Sequence, residues 1–168
     1  MNSRHARFAT PASPDSVAVA RDQVLVQVTS WGLALEKDTR EAIKLVASEL
    51  ITNAVVHTDG LISIGLYLSE DRLLLVVHDS SQTLPTPPAR CNPAEVESGR
   101  GLLLVTALAD RWGSGLTSGG KTVWAEFDVP PQPPAVASDT LPRRAPAARS
   151  CAGLRIAPEG VVLAGAMR

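Results

Sequence analysis

An α+β fold is predicted for this 168-residue chain: one mostly antiparallel sheet with helices packed on a single face, a two-layer α/β sandwich. Three features of the sequence predict it. The elements read in the order β-α-α-β-β-loop-α-β-β, two pairs of strands are each joined by a tight turn, and the helical segments carry apolar residues on one side only.

His5 to Ala9 is a short first strand. Pro11 to Pro14 is a turn, and its Ser13-Pro14 step suits a helix N-cap followed by proline at the first helical position. The helix that follows shows Val17, Ala20, Val24, Val28 and Trp31 at three- and four-residue steps, and Gly32 ends it as a C-terminal cap. A second helix, capped by Asp38 or Thr39, runs to about His57 with Ile43, Ala47, Leu50 and Ala54 as its apolar stripe. Asp59-Gly60 stops it. Leu61 to Leu68 and Arg72 to His78 are two antiparallel strands around Ser69-Glu70-Asp71-Arg72. Prolines at 85, 87, 88 and 93 make Asp79 to Gly99 a loop of a length that compact domains keep mostly for function. Gly101 to Asp110 is a short apolar helix, and Arg111 to Gly115 with Lys121 to Val129 forms a last hairpin around Thr117-Ser118-Gly119-Gly120.

Composition changes at Val129. Residues 130–168 hold seven of the thirteen prolines and five Arg against one Asp and one Glu, so a body of charge −4 bears a tail of +3. Such Pro/Ala-rich sequence buries too little apolar surface to offset its ordering entropy, and a disordered tail is expected behind a domain spanning 1–129. Leu154-Arg155-Ile156 and Val161-Val162-Leu163 offer a small hairpin as the alternative. Limited proteolysis is expected to trim the chain back to about Val129 and leave the body folded; resistance there would show a structured tail.

The overall charge is −1, without the basic excess of nucleic-acid or anionic-lipid binding. No apolar run nears the ~20 residues of a membrane span, and Met1-Asn2-Ser3-Arg4-His5-Ala6-Arg7 lacks the apolar stretch of a secretory signal, so a cytoplasmic location is expected. Cys91 and Cys151 show neither metal-ligand spacing nor a disulfide framework and are treated as incidental.

Chemistry concentrates in three places. Glu49, Asn53 and His57 repeat every four residues and share one helix face, turned away from the apolar stripe. A carboxylate one turn from a carboxamide can orient a nucleophile and offer oxygen to a hard cation such as Mg²⁺; on a helix surface such a pair is also commonly just solvated. Asp79 ends an apolar strand, where burial demands a hydrogen-bond donor: the exocyclic amine of a purine, or the backbone of an Asx turn with Ser80 and Ser81. Gly99-Arg100-Gly101-Leu102 precedes a helix, as in sites where backbone N–H groups approach a phosphate, and equally as in a turn.

In this order and spacing the segments resemble a family. Ser48-Glu49-Leu50-Ile51-Thr52-Asn53-Ala54-Val55-Val56-His57 resembles the N box of the GHKL (Bergerat) ATP-binding fold of gyrase, heat-shock chaperones, histidine kinases and mismatch-repair ATPases. Val77-His78-Asp79-Ser80-Ser81 is similar to its first glycine box, with Ser81 at the glycine position. Glu97-Ser98-Gly99-Arg100-Gly101-Leu102 is similar to the second, and Gly120-Lys121-Thr122-Val123-Trp124-Ala125-Glu126 to the closing strand. Over residues 4–128 the likeness is greatest to the stand-alone anti-sigma-factor serine/threonine kinases of actinobacteria. That resemblance implies ATP and Mg²⁺ as cofactors, Glu49 as the base, Asn53 as the Mg²⁺ ligand and Asp79 as acceptor of the adenine amino group. Gly99 and Gly101 would let the chain close over the phosphates and Arg100 would neutralise developing charge. His57, Ser81, Leu102 and Thr122 join the nucleotide-contacting set, with residues 80–98 as a lid. It also implies a sigma factor and a STAS-type anti-anti-sigma protein as partners, a homodimer by analogy, and no direct contact with nucleic acid or membrane. The alternatives are a non-catalytic ATP-binding module that orders a partner surface, and a detached histidine-kinase catalytic domain, for which no dimerising phosphoacceptor helix precedes the body.

Overall fold

A computed structural model describes residues 3–85 and 96–131, with only the backbone of 96–99. The tail beyond 131, its candidate hairpin and both cysteines lie outside the described residues. The elements are β1 (Arg4–Pro11), α1 (Pro14–Ser30), α2 (Lys37–His57), β2 (Leu61–Ser69), β3 (Arg72–Asp79), α3 (Val96–Leu108), β4 (Arg111–Thr117) and β5 (Gly120–Asp128). The five strands form one antiparallel sheet in the order β1-β2-β3-β5-β4. This is the α+β architecture expected. Among the described residues, no helix is long and apolar enough to cross a membrane.

Strand alternation builds the core. Ile62, Ile64, Leu66 and Leu68 of β2, Leu73, Leu75 and Val77 of β3, and Val123, Ala125 and Phe127 of β5 are all buried. They pack with Ala20, Val24 and Val28 of α1 and with Ile43, Val46, Ala47, Leu50, Ile51 and Ala54 of α2 in one apolar cluster. The apolar stripes of α1 and α2 therefore face the sheet, as a 3.6-residue period requires. Gly32, at φ +70, ends α1 in the left-handed region, and its N–H donates to the Thr29 carbonyl at 2.9 Å. Neither expected N-terminal side-chain cap forms a hydrogen bond. Ser13 occupies the cap position of α1 but its hydroxyl bonds Ser16 Oγ at 2.7 Å, and α2 begins one residue before Asp38, with Glu36 at its cap.

β1 is longer than its sequence suggests because tertiary contacts hold it. All eight residues pair with β2, and the Arg4 guanidinium donates to the Trp31 carbonyl. Arg7 Nε donates to Tyr67 Oη at 2.6 Å and its guanidinium lies 5.4 Å from the ring centre. The ring of Tyr67 reaches across Gly65, where a Cβ would stand 2.9 Å from Tyr67 Cε2. At the other edge Arg111 donates to Glu126 Oε2 at 2.6 Å and also bonds Asp128; these two carboxylates push its pKa further above the ordinary guanidinium range.

The largest departure from expectation is α3, which begins at Val96 rather than Gly101 and ends at Leu108. The last proline before it, Pro93, lies outside it, so nothing forbids helix from 96 onward. Two glycines in a helix cost about 1 kcal/mol each; burial of Leu102 and Val105 against α2 offsets that loss. Asp110 then leads into β4: its N–H donates to the Glu126 carbonyl at 3.0 Å, and its carboxylate accepts the Asp128 N–H at 2.7 Å.

Candidate functional site

The polar face of α2 opens into a cleft of about 190 Å³ between α2 and α3. Glu49, Asn53 and His57 line one wall, together with Leu50, Thr52 and Val56, and Gly101, Leu102 and Val105 line the other. Four-residue spacing brings the three polar side chains to one face, and the buried stripe opposite them fixes that face outward. Glu49 and Asn53 are half-buried, while His57, in the last turn of α2, is exposed.

Asn53 Oδ1 is buried and has no hydrogen-bond partner among the described residues. A buried carbonyl oxygen without a donor costs about 1–3 kcal/mol, and a cation or a donor group from a ligand removes that cost. Among the described residues no cluster of three His, Cys, Asp or Glu side chains is arranged to hold a metal. A cation bound at Asn53 would therefore draw most of its oxygens from a ligand and from water, which is how Mg²⁺ is commonly held beside phosphates.

Gly101 has a role different from the one its position before a helix suggested. As the sixth residue of α3, it lies beyond the four whose N–H groups lack partners within the helix, so its N–H is not free for a phosphate. What it supplies is space: a Cβ there would collide with Glu49 Oε2 and stand 3.4 Å from Glu49 Cδ. Gly101→Ala is expected to hold stability within about 1 kcal/mol of the original chain, because the gain in helix propensity offsets a shift of one flexible carboxylate. The same substitution is expected to reduce any activity that needs Glu49 in place. Urea unfolding and activity measured side by side test this. Arg100 is not among the described residues that line the cleft and is exposed on α3; Gly99 lies in the part of α3 of which only the backbone is described.

Asp79, Ser81 and Thr122 are not brought to this cleft. Asp79 is 1% exposed, and its carboxylate accepts the Ser81 N–H at 2.8 Å, the Asx turn that its strand-end position allowed. Ser81 Oγ in turn accepts the Thr83 N–H at 3.2 Å. The Thr58 and Ser80 hydroxyls share a short hydrogen bond that ties the end of α2 to the segment leaving β3. The other Asp79 oxygen lies 3.2 Å from Lys121 Nζ. Thr122 is a correction: it sits on the helix-free face of the sheet, bonded to His78 Nδ1 at 3.2 Å. Alternation explains this, because Val123, Ala125 and Phe127 turn to the core and Lys121 shares their parity. The same parity in the sequence marks Lys121, which sequence reasoning passed over. Of the expected lid, residues 86–95 lie outside the described part.

The comparisons agree with this fold. A solved structure, that of the RsbU and RsbW domains of Rv1364c from Mycobacterium tuberculosis, has a similar fold, with a TM-score of 0.53 at 16% identity. The match covers 75% of this chain and 32% of that one, so this chain spans about a third of the solved protein's length. No curated protein matches the chain. The histidine kinase-like ATPase domain family matches residues 10–127, which include every element that lines the cleft. The chain belongs to the histidine kinase-like ATPase domain family, and this membership implies that it binds ATP.

Proposed function

We propose that this chain is an ATP-dependent serine/threonine protein kinase of the anti-sigma-factor type, which phosphorylates a STAS-type anti-anti-sigma partner and sequesters a sigma factor. The observation that carries the proposal is the pairing, in one cleft, of a half-buried carboxylate, Glu49, with the partnerless carboxamide oxygen of Asn53. The orphaned Asn53 oxygen suits Mg²⁺ with a triphosphate, and the absence of a side chain at Gly101 leaves room for the Glu49 carboxylate beside it. When bound, Mg·ATP would supply the γ-phosphoryl group and the positive charge that offsets its oxygens. Asn53 offers Oδ1 to the cation. Glu49 takes the proton of a serine or threonine hydroxyl at its carboxylate, which leaves the hydroxyl oxygen free to attack. Exposed His57 lines the cleft as a hydrogen-bonding group, while Arg100 is exposed on α3 next to Gly101. Leu50, Leu102 and Val105 keep the inner cleft apolar and limit water there.

The test is transfer of phosphate from γ-labelled ATP to serine or threonine of STAS-domain proteins from the same host, with and without Mg²⁺. Mg²⁺-dependent labelling is expected. ATP binding without transfer to any of them would leave the non-catalytic module in place of the kinase, and no binding of Mg·ATP would remove both.

A further inference from the structure

The cleft leaves one charged cluster unused, a buried ion pair where β3 meets β5. Asp79 and Lys121 are direct cross-strand partners, with side chains 1% and 0% exposed. They share the helix-covered face with Val77 and Val123. Gly120, at φ +148, lets the two strands close up here, since a Cβ at that position would collide with the Asp79 carbonyl. Lys121 Nζ lies 3.2 Å from Asp79 Oδ2, yet among the described residues the ammonium has no acceptor in hydrogen-bonding geometry. A buried cation with unmet donors is costly, and a ligand that brings lone pairs lowers that cost.

Resting on the nucleotide reading above, we propose that Asp79 and Lys121 act together as a base-reading pair of both polarities, so that this chain accepts 6-oxopurine nucleotides such as GTP as well as ATP. A lone carboxylate only accepts hydrogen bonds: it suits the amino group of adenine and repels the carbonyl of a 6-oxopurine. An ammonium only donates, and suits that carbonyl. Ring positions 6 and 1 present donor then acceptor in adenine, and acceptor then donor in guanine or hypoxanthine. One acceptor beside one donor therefore satisfies either base, with the two roles exchanged. The cleft at Glu49 and Asn53, about 190 Å³ against the ~300 Å³ or more of a typical ligand pocket, does not include this pair. The triphosphate end of a ligand is thus held by residues that do not depend on which base follows.

Calorimetric titration of the full chain with Mg·ATP, Mg·GTP and Mg·ITP tests the proposal. In the unaltered protein the dissociation constants for GTP and ITP are expected to lie within about tenfold of that for ATP. Lys121→Met removes the donor and keeps the stem; it is expected to weaken GTP and ITP by about tenfold or more relative to ATP, as loss of a charge-assisted hydrogen bond predicts. Lys121→Gln retains an N–H donor and should recover most of that difference. A preference of the unaltered protein for ATP over GTP of a hundredfold or more would overturn the proposal while sparing the kinase reading, and this arm requires no variant to fold. Equal loss of all three nucleotides in Lys121→Met would overturn it too, by showing a structural role alone. Absence of heat with every nucleotide would overturn the nucleotide reading itself.

Discussion

Glu49→Ala is expected to lower phosphoryl transfer to the protein substrate by about 10²–10⁴-fold, the usual contribution of a positioned general base. Binding of Mg·ATP should stay within a few-fold of the original. The reasoning is geometric. Glu49 lies one turn from Asn53 on α2, and its carboxylate rests against Gly101. The orphaned oxygen belongs to Asn53, so under the proposed kinase mechanism removing Glu49 would take away the proton acceptor and leave the group proposed to hold the cation. Glu49→Gln keeps the shape of the side chain and should fail to the same degree. Rates from single-turnover labelling, set beside calorimetric affinity, separate the two roles. Retained transfer in both variants would make Glu49 a solvated surface carboxylate, and a matching loss of affinity would make it a ligand-holding group.

The second large effect concerns stability. Asp79→Ala is expected to destabilise the fold by about 3–5 kcal/mol, because it leaves the Lys121 ammonium buried without its charged partner among the described residues. The double variant Asp79→Leu with Lys121→Met replaces the pair by apolar groups of similar bulk. It should recover most of that loss, or exceed the original chain, since the cost of desolvating two charges disappears with them. Urea unfolding of Asp79→Leu, Lys121→Met and the double variant forms a cycle that reads the coupling directly. Near-additive losses would show that the ion pair has little coupling and that each residue matters only for packing.

Much of this fold is legible in the sequence because its signals are local. The steps Ile43, Ala47, Leu50, Ala54 determine how α2 is turned, and that orientation in turn brings Glu49, Asn53 and His57 to the cleft. Gly32 and the turn at Glu70-Asp71 lie where backbone sterics and short connections predict. The failures share another cause, in that each depends on a partner distant in sequence. The start of α3 follows from packing of Leu102 and Val105 on α2, which no count of prolines and glycines reveals. The eight-residue length of β1 rests on Trp31 and Tyr67, 27 and 60 residues from the arginines that reach them. Thr122 joined the nucleotide-contacting set through the resemblance of its strand, but strand parity assigns the core to Lys121; parity is visible in sequence once the inward strand face is known. That Gly101 faces Glu49 is information held only in three dimensions.

The aromatic ring laid across Gly65 has a consequence for the margin of the molecule. Tyr67 can meet Arg7 only because nothing projects beneath it. A methyl group at position 65 would lift the phenol and loosen its grip on the outermost ribbon of backbone. The shape of that border, and the exposure of its unpaired peptide groups to neighbouring molecules, are governed by an atom that the chain omits.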